Sequence, residues 1–345
     1  MNLSVVKSIF TGAFILTLSM ASYVSAQEIA KCVEIFSNPT PPRSAVGIVE
    51  GNSSSYSNDR SLSLMEQKFF LRKAVDDSKD ISNSSYYLNI KESLAYFRSW
   101  LEGNIELKPI KRVSEYAPPE AAITVSPFQQ MLQRVHEIAT QGLSGDRYYY
   151  PSGKTSGKIE NVDQKAYAQR FGGMIRGQNE PAIISTEINQ EAIDILTSLQ
   201  KWPEGSVNGT DYLIPIEGIK AGRGSYPKMI IFVAGRMRFV YPEFTYVRQY
   251  LQLMEEEMTF IKESLNKPLY DRSSILRSLA RYYHLGLLAH PFLRVNNSIL
   301  MMQVNAILLT LKMTPVFHGV HDYVIRHLNT SEAVSYMEKV FIEEQ

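Results

Sequence analysis

Apolar residues recur three and four positions apart through most of the chain, the repeat of an amphipathic helix. In "LMEQKFFLRKAV" and "YYLNIKESLAYFRSWL" this spacing predicts helices over 61–78 and 86–102. In "FQQMLQRVHEIATQGL" it puts Phe128, Leu132, Val135, Ile138 and Ala139 on one face, and Gly142 and Gly145 suit a helix end. Residues 163–200 are mixed, and "NQEAIDILTSLQKW" is their clearest helix. The repeat changes in "YPKMIIFVAGRMRFVYPEF", 226–244, where Met229 to Val233 and Met237 to Tyr241 favour strands around Gly235, a hairpin signal. "YVRQYLQLMEEEMTFIKESL" returns to helix. Two more helices follow, "SILRSLARYYHLGLLAH", opened by Ser273, and "SILMMQVNAILLTLKM". Both are apolar on more than one side, which predicts a central position.

The remaining segments are polar. Residues 27–60 are rich in Pro, Ser and Asn without a repeat and read as irregular chain, and "YAPPEA" at 116–121 reads as a linker. The pattern divides the chain into an N-terminal helical extension at 61–115 and a larger domain at 125–330. At the N-terminus, Lys7 precedes an apolar run from Ile9 to Met20, and Val24-Ser25-Ala26 precedes Gln27. That order of charged, apolar and small residues reads as a secretory signal peptide, here 1–26, with a run short for a bilayer; the alternative is an uncleaved anchor or a buried helix. The expectation is a mature chain beginning near Gln27, secreted or periplasmic, with no membrane segment.

Composition narrows the classes. With 345 residues and 44% hydrophobic content the chain can bury a sizeable core. Its 36 basic and 35 acidic residues leave a net charge of +1, which speaks against a nucleic-acid partner or a polybasic membrane surface. Cys32 is the single cysteine, so no intrachain disulfide forms. Five Asn-x-Ser/Thr triplets carry little weight, because the one at Asn296 falls inside the candidate site.

That site is "AHPFLRVNNSILMMQ", 289–303, between the two central helices. His290 ends the first helix, and Asn296 or Asn297 is suited to cap the second. A helix N-terminus offers N–H groups and a positive dipole end to a phosphate. A histidine beside it is a candidate general base for phosphoryl or nucleotidyl transfer.

"HPFLRVNNS", 290–298, resembles the signature HPFx[DE]GN[GK]R of Fic (Fido) domains, which joins two central helices. The surroundings are similar in order: an early core helix, a flap hairpin, a helix after it and the two motif helices, over roughly 125–315, with an insertion before the flap. The resemblance implies a mainly α fold, a Fic-like helical core with a β-hairpin flap, here with the N-terminal helical extension. It also implies transfer of AMP, or another phosphate-containing group, from ATP or another nucleotide donor to a protein hydroxyl. His290 would be the base, Pro291 and Phe292 would shape the loop, and Asn296 would hold the α-phosphate region. The flap, with Met229, Ile231, Val233, Arg236 and Arg238, would align a segment of a protein target by strand addition, the arginines favouring acidic or phosphorylated targets. The alternative is a hairpin that only covers the core.

Four positions depart from the signature. Arg294 replaces the acid that would bind Mg²⁺, and a guanidinium cannot ligate a metal, so Mg²⁺ is not expected. Val295 replaces the glycine and restricts φ. Asn297 is the mildest change, since Asn tolerates a left-handed backbone. Ser298 replaces the clamp arginine, and Met301 stands where a second arginine falls. Losing metal and cations together removes transition-state charge stabilisation worth orders of magnitude in rate. The preferred expectation is therefore an exported pseudoenzyme, a binding or regulatory module. The alternative is an active, metal-independent transferase in which Arg294, Asn296 and Asn297 grip the phosphates. Because ATP is scarce outside cells, that alternative calls for delivery into a host cell or a nucleotide-supplied lumen. A third expectation is an unrelated helical secreted protein.

Other signals are weaker. "SGKT" at 152–155 lacks the first glycine and the preceding strand of a P-loop, and "SGKIEN" would place Glu160 opposite an arginine that is Ser298 here. In "HGVHDYVIRH", His318, His321, Asp322 and His327 fit no familiar metal-ligand spacing, and the histidines read as surface or capping residues. His136 and His284 read as packed within their helices.

Overall fold

The structure, a computed structural model, describes residues 63–70, 85–112, 123–141, 190–201, 212–213, 216–219, 229–233, 236–242, 244–292 and 295–343. The expected signal segment, the irregular stretch at 27–60, the glycine-rich 152–161 and Arg294 lie outside them. Among the described residues the fold is mainly α. Helices α1 (Leu64–Phe70) and α2 (Ser85–Leu101) precede strands β1 (Ile110–Arg112) and β2 (Ile123–Val125). Helices α3 (Pro127–Thr140) and α4 (Gln190–Ser198) lead to β3 (Tyr212–Leu213), β4 (Met229–Val233) and β5 (Arg236–Val240). Then come α5 (Phe244–Leu265), α6 (Arg272–Ala289), α7 (Asn296–Thr310), α8 (His321–His327) and α9 (Thr330–Glu343).

Local chemistry sets the helix ends. Ser126 caps α3 by accepting from the Gln129 N–H at 3.2 Å, and Pro127 fills the first helical position, where no N–H is needed. Asp271, not Ser273, opens α6: its carboxylate accepts from the Ser273 N–H at 3.0 Å and the Ser274 hydroxyl at 2.5 Å. α2 ends on Gly103 at φ 83, with the Asn104 N–H reaching the Ser99 carbonyl at 2.8 Å. α7 ends in the same turn, the Met313 N–H on the Leu308 carbonyl at 2.9 Å, but there the left-handed residue is Lys312 at φ 59.

α6 and α7 are central, as their apolar residues on more than one side predict, with 13 of the 18 residues of α6 and 12 of the 15 of α7 buried. α5 and α9 pack along α6, while α2 packs on α3 and α7. A Cβ added at Gly286 would lie 2.5 Å from Leu300 Cδ2 and 3.1 Å from Met254 Cε, so α5, α6 and α7 converge there. The N-terminal helices join the same core: Phe69, Ile90, Leu94 and Phe97 cluster with Leu279, Tyr283, Met302 and Phe341. Asn305 fixes that junction from within α7. Its amide donates to the Lys68 carbonyl at 3.0 Å and the Val316 carbonyl at 3.1 Å, and accepts from the Val316 N–H at 3.0 Å. On α5, Lys262 donates to the Trp100 carbonyl at 2.6 Å and lies 4.2 Å from the centre of that indole.

β1 and β2 pair antiparallel with Ile110 opposite Val125, and the expected linker at 116–121 lies outside the described residues. The hairpin expected at 226–244 is part of a three-stranded antiparallel sheet ordered β3-β4-β5, one strand more than the sequence pattern shows. β3 is only two residues long, too short to carry a period. Between β4 and β5, Met229 pairs with Val240, Ile231 with Arg238 and Val233 with Arg236. β5 therefore ends one residue before the expected Tyr241, and that ring is left to the site. No helix among the described residues is long and apolar enough to cross a membrane.

Candidate functional site

The α6–α7 junction is a short loop tightened by its own side chains. His290 is the C-cap of α6, with φ 43 and ψ 58, and its N–H reaches the Gly286 carbonyl at 3.1 Å. The chain then turns through buried Pro291 and Phe292. The Phe292 ring stacks on His136 of α3, centroids 3.9 Å apart and planes 12° from parallel. That contact explains a histidine on the buried face of α3. It also ties the loop to α3.

Asn296 is 1% exposed and closes the loop from the other side. Its amide donates to the Phe292 carbonyl at 2.6 Å, and its oxygen accepts from the Phe292 N–H at 2.8 Å. The side chain expected to hold a phosphate is thus engaged by the loop backbone. The helix cap differs from expectation as well. The N-cap is Val295, in the left-handed region at φ 62 and ψ 9, without a side-chain cap bond; Asn296 and Asn297 are the first two helical residues. A capping Asn needs an extended backbone and a reach to the third N–H, whereas here Asn296 reaches back to Phe292. The first intrahelical bond is Ile299 N–H to Val295 carbonyl, so the N–H groups of Asn296, Asn297 and Ser298 precede it.

Asn297 joins the junction to α8. Its amide donates to Asp322 Oδ2 at 2.8 Å, and its oxygen accepts from Arg326 Nη2 at 3.0 Å. Asp322 also accepts from the Tyr283 hydroxyl of α6, and His318 Nδ1 lies 3.9 Å from its Oδ1. The His318 ring meets Tyr283 edge-on at 4.6 Å. His318, Asp322, Arg326 and His327 are all buried, which corrects the expectation of surface histidines. α8 buries Val324 and Ile325 together with these polar residues. A buried carboxylate with several donors is tolerable where a lone one is not. His327 Nδ1 donates to the Tyr323 carbonyl at 2.8 Å, and His321 Nδ1 lies 2.7 Å from the Tyr336 hydroxyl.

Tyr241 completes the site. It follows β5 directly and stacks on His290, centroids 4.0 Å apart and planes 16° from parallel. The Arg326 guanidinium carbon lies 5.7 Å from the centre of the same phenol ring. The His290 imidazole and the Arg326 guanidinium therefore both lie beside one aromatic residue that follows β5. Sequence reasoning singled out neither Tyr241 nor Arg326, and it weighed Asp322 only as a metal ligand beside the histidines. The one local signal is the four-residue spacing of Asp322 and Arg326, which puts both on one side of α8.

The structure brings His290, Pro291, Phe292, Asn296 and Asn297 together at the junction. Met229, Ile231, Val233, Arg236 and Arg238 stand at register positions of β4 and β5. Met301, where the resemblance places a second arginine, is buried in the core. Among the described residues no three His, Cys, Asp or Glu side chains converge as a metal site requires. No family model matches the chain, and no curated protein matches it in sequence.

Proposed function

We propose that this chain is an exported Fic-like helical protein whose junction site has departed from the metal-dependent transferase pattern, and that it acts as a binding or regulatory module for a protein partner. The observation that carries this reading is the backbone at Val295. The resemblance puts a glycine there, and the residue sits at φ 62, a conformation glycine adopts freely and a β-branched residue holds at a cost of about 1–2 kcal/mol. The loop thus keeps a glycine's conformation after losing the glycine. The state of the polar groups supports a site that no longer turns over. The Asn296 amide is engaged by Phe292, and Asp322 serves Tyr283 and Asn297. The partner surface is the outer edge of β5, which has one neighbour among the described strands.

A second reading, an active transferase with a non-standard phosphate grip, is favoured by Arg326. Its guanidinium brings a cation to the ring that stacks on His290, and a guanidinium grips phosphate oxygens without a metal. Calorimetry with ATP, with and without Mg²⁺, tests the proposal together with intact-mass measurement of the incubated protein. The binding-module reading expects neither metal-dependent ATP binding nor a mass increment. An increment that disappears in His290→Ala would overturn it in favour of the second reading.

A further inference from the structure

We infer that Tyr241 is a positioning residue for His290, and that through it the orientation of the imidazole is tied to strand β5. The inference rests on the proposed reading only where it takes the edge of β5 as the partner surface. The backbone of His290 belongs to α6: it is held as the helix cap at φ 43 and ψ 58 by the bond from its N–H to the Gly286 carbonyl. The freedom left to the residue is rotation about its side-chain bonds. The phenol ring of Tyr241 lies nearly parallel at 4.0 Å, in van der Waals contact with the imidazole face. Turning the imidazole about its terminal torsion would drive an edge into that ring, and this torsion is otherwise broad and soft. The stack therefore fixes the plane of the imidazole.

Tyr241 answers to two other elements. It is covalently next to Val240, the last residue of β5, which pairs with Met229 in the β4–β5 ladder. Its ring also lies 5.7 Å from the Arg326 guanidinium carbon, and that guanidinium is tethered to Asn297 Oδ1 at 3.0 Å. Asn297 in turn holds Asp322 Oδ2 at 2.8 Å. The backbone of His290 thus follows α6, while the ring that orients its side chain follows β5 and the α7–α8 network. A displacement of β5, such as a strand added at its edge, moves Tyr241 relative to His290 and changes the freedom of the imidazole.

The test uses the full chain labelled with ¹³C-histidine, with the His290 ring signal assigned by its absence in His290→Gln. In the wild type those protons resonate upfield of their position in the urea-unfolded chain, because they lie over an aromatic ring. Tyr241→Phe keeps the upfield shift. Tyr241→Leu loses it, and diethyl pyrocarbonate modifies His290 several-fold faster, read by peptide mass. An unshifted His290 signal in the wild type overturns the inference, as does a folded Tyr241→Leu protein with unchanged shift and reactivity. If Tyr241→Leu does not fold, the wild type and Tyr241→Phe decide between the same outcomes. None of these measurements involves nucleotide, so failure of this inference and failure of the proposed function are distinguishable.

Discussion

Asn296→Ala tests whether that side chain is part of the loop or reaches outward. In the structure it makes two hydrogen bonds to the backbone of one residue, at 2.6 and 2.8 Å, and Phe292 itself is fully buried. Each bond contributes about 0.5–1.5 kcal/mol net, and a buried N–H or carbonyl left without its partner costs about 1–3 kcal/mol. The expected loss is therefore about 2–4 kcal/mol, read as a lower urea midpoint at unchanged slope. Asn296→Asp separates the two bonds. It keeps an acceptor for the Phe292 N–H but sets a carboxylate oxygen where the amide donated to the Phe292 carbonyl. Only the protonated carboxyl can donate there, so the folded state holds the proton more tightly than the unfolded one and the folded pKa lies above the unfolded value. Stability is then present below the unfolded carboxylate pKa and is lost as pH rises through the folded one. Asn296→Asp should stand closer to wild type at about pH 4 than at about pH 7, while Asn296→Ala shows the same deficit at both. An Asn296→Ala protein within about 0.5 kcal/mol of wild type would refute the loop-closing role, since that is the range of a surface substitution.

The other expectations rest on single contacts. Lys312→Gly should stabilise by about 0.5–1 kcal/mol and raise Tm, because relief of a left-handed lysine on an exposed turn outweighs the added freedom of the unfolded chain. Asn305→Ala should cost about 3 kcal/mol in denaturant unfolding, the loss of three buried bonds that hold Lys68 and Val316 to α7. Gly286→Val should cost about 2–3 kcal/mol by forcing Leu300 and Met254 aside, measured the same way. Burial raises the Glu257 carboxyl above its ordinary range, against the lowering effects of Ser278 and Arg281. Its contribution is therefore present below the unfolded pKa and is lost as pH rises through the folded value. Glu257→Gln should gain stability relative to wild type between acid and neutral pH, and a pH-independent difference would count against that.

Helix existence was legible wherever one face is apolar, as in α3 and α5, and the centrality of α6 and α7 was legible from apolar residues on more than one side. The β4–β5 hairpin was legible too, because two β-favouring runs flank a glycine. β1, β2 and β3 were not, since two or three residues carry no period and their pairing is non-local. The caps divide in the same way. The Ser126 cap is a local contact, made three residues ahead, while the left-handed backbone of Val295 is held by Asn296 reaching back to Phe292.

For the site, the chain by itself determined the candidate base, the loop and the helix that follows, since His290 to Asn297 are contiguous. It also determined where that stretch departs from the signature it resembles, at Arg294, Val295, Asn297 and Ser298. Only the tertiary structure decided what surrounds the base. Tyr241 comes from just after β5, 49 positions before His290, and Arg326 from α8, 36 positions after it. The physical reason is that stacking and buried hydrogen bonding act between surfaces that meet only when helices and sheet pack. Local sequence specifies the turn that carries the histidine, and packing specifies which way it faces.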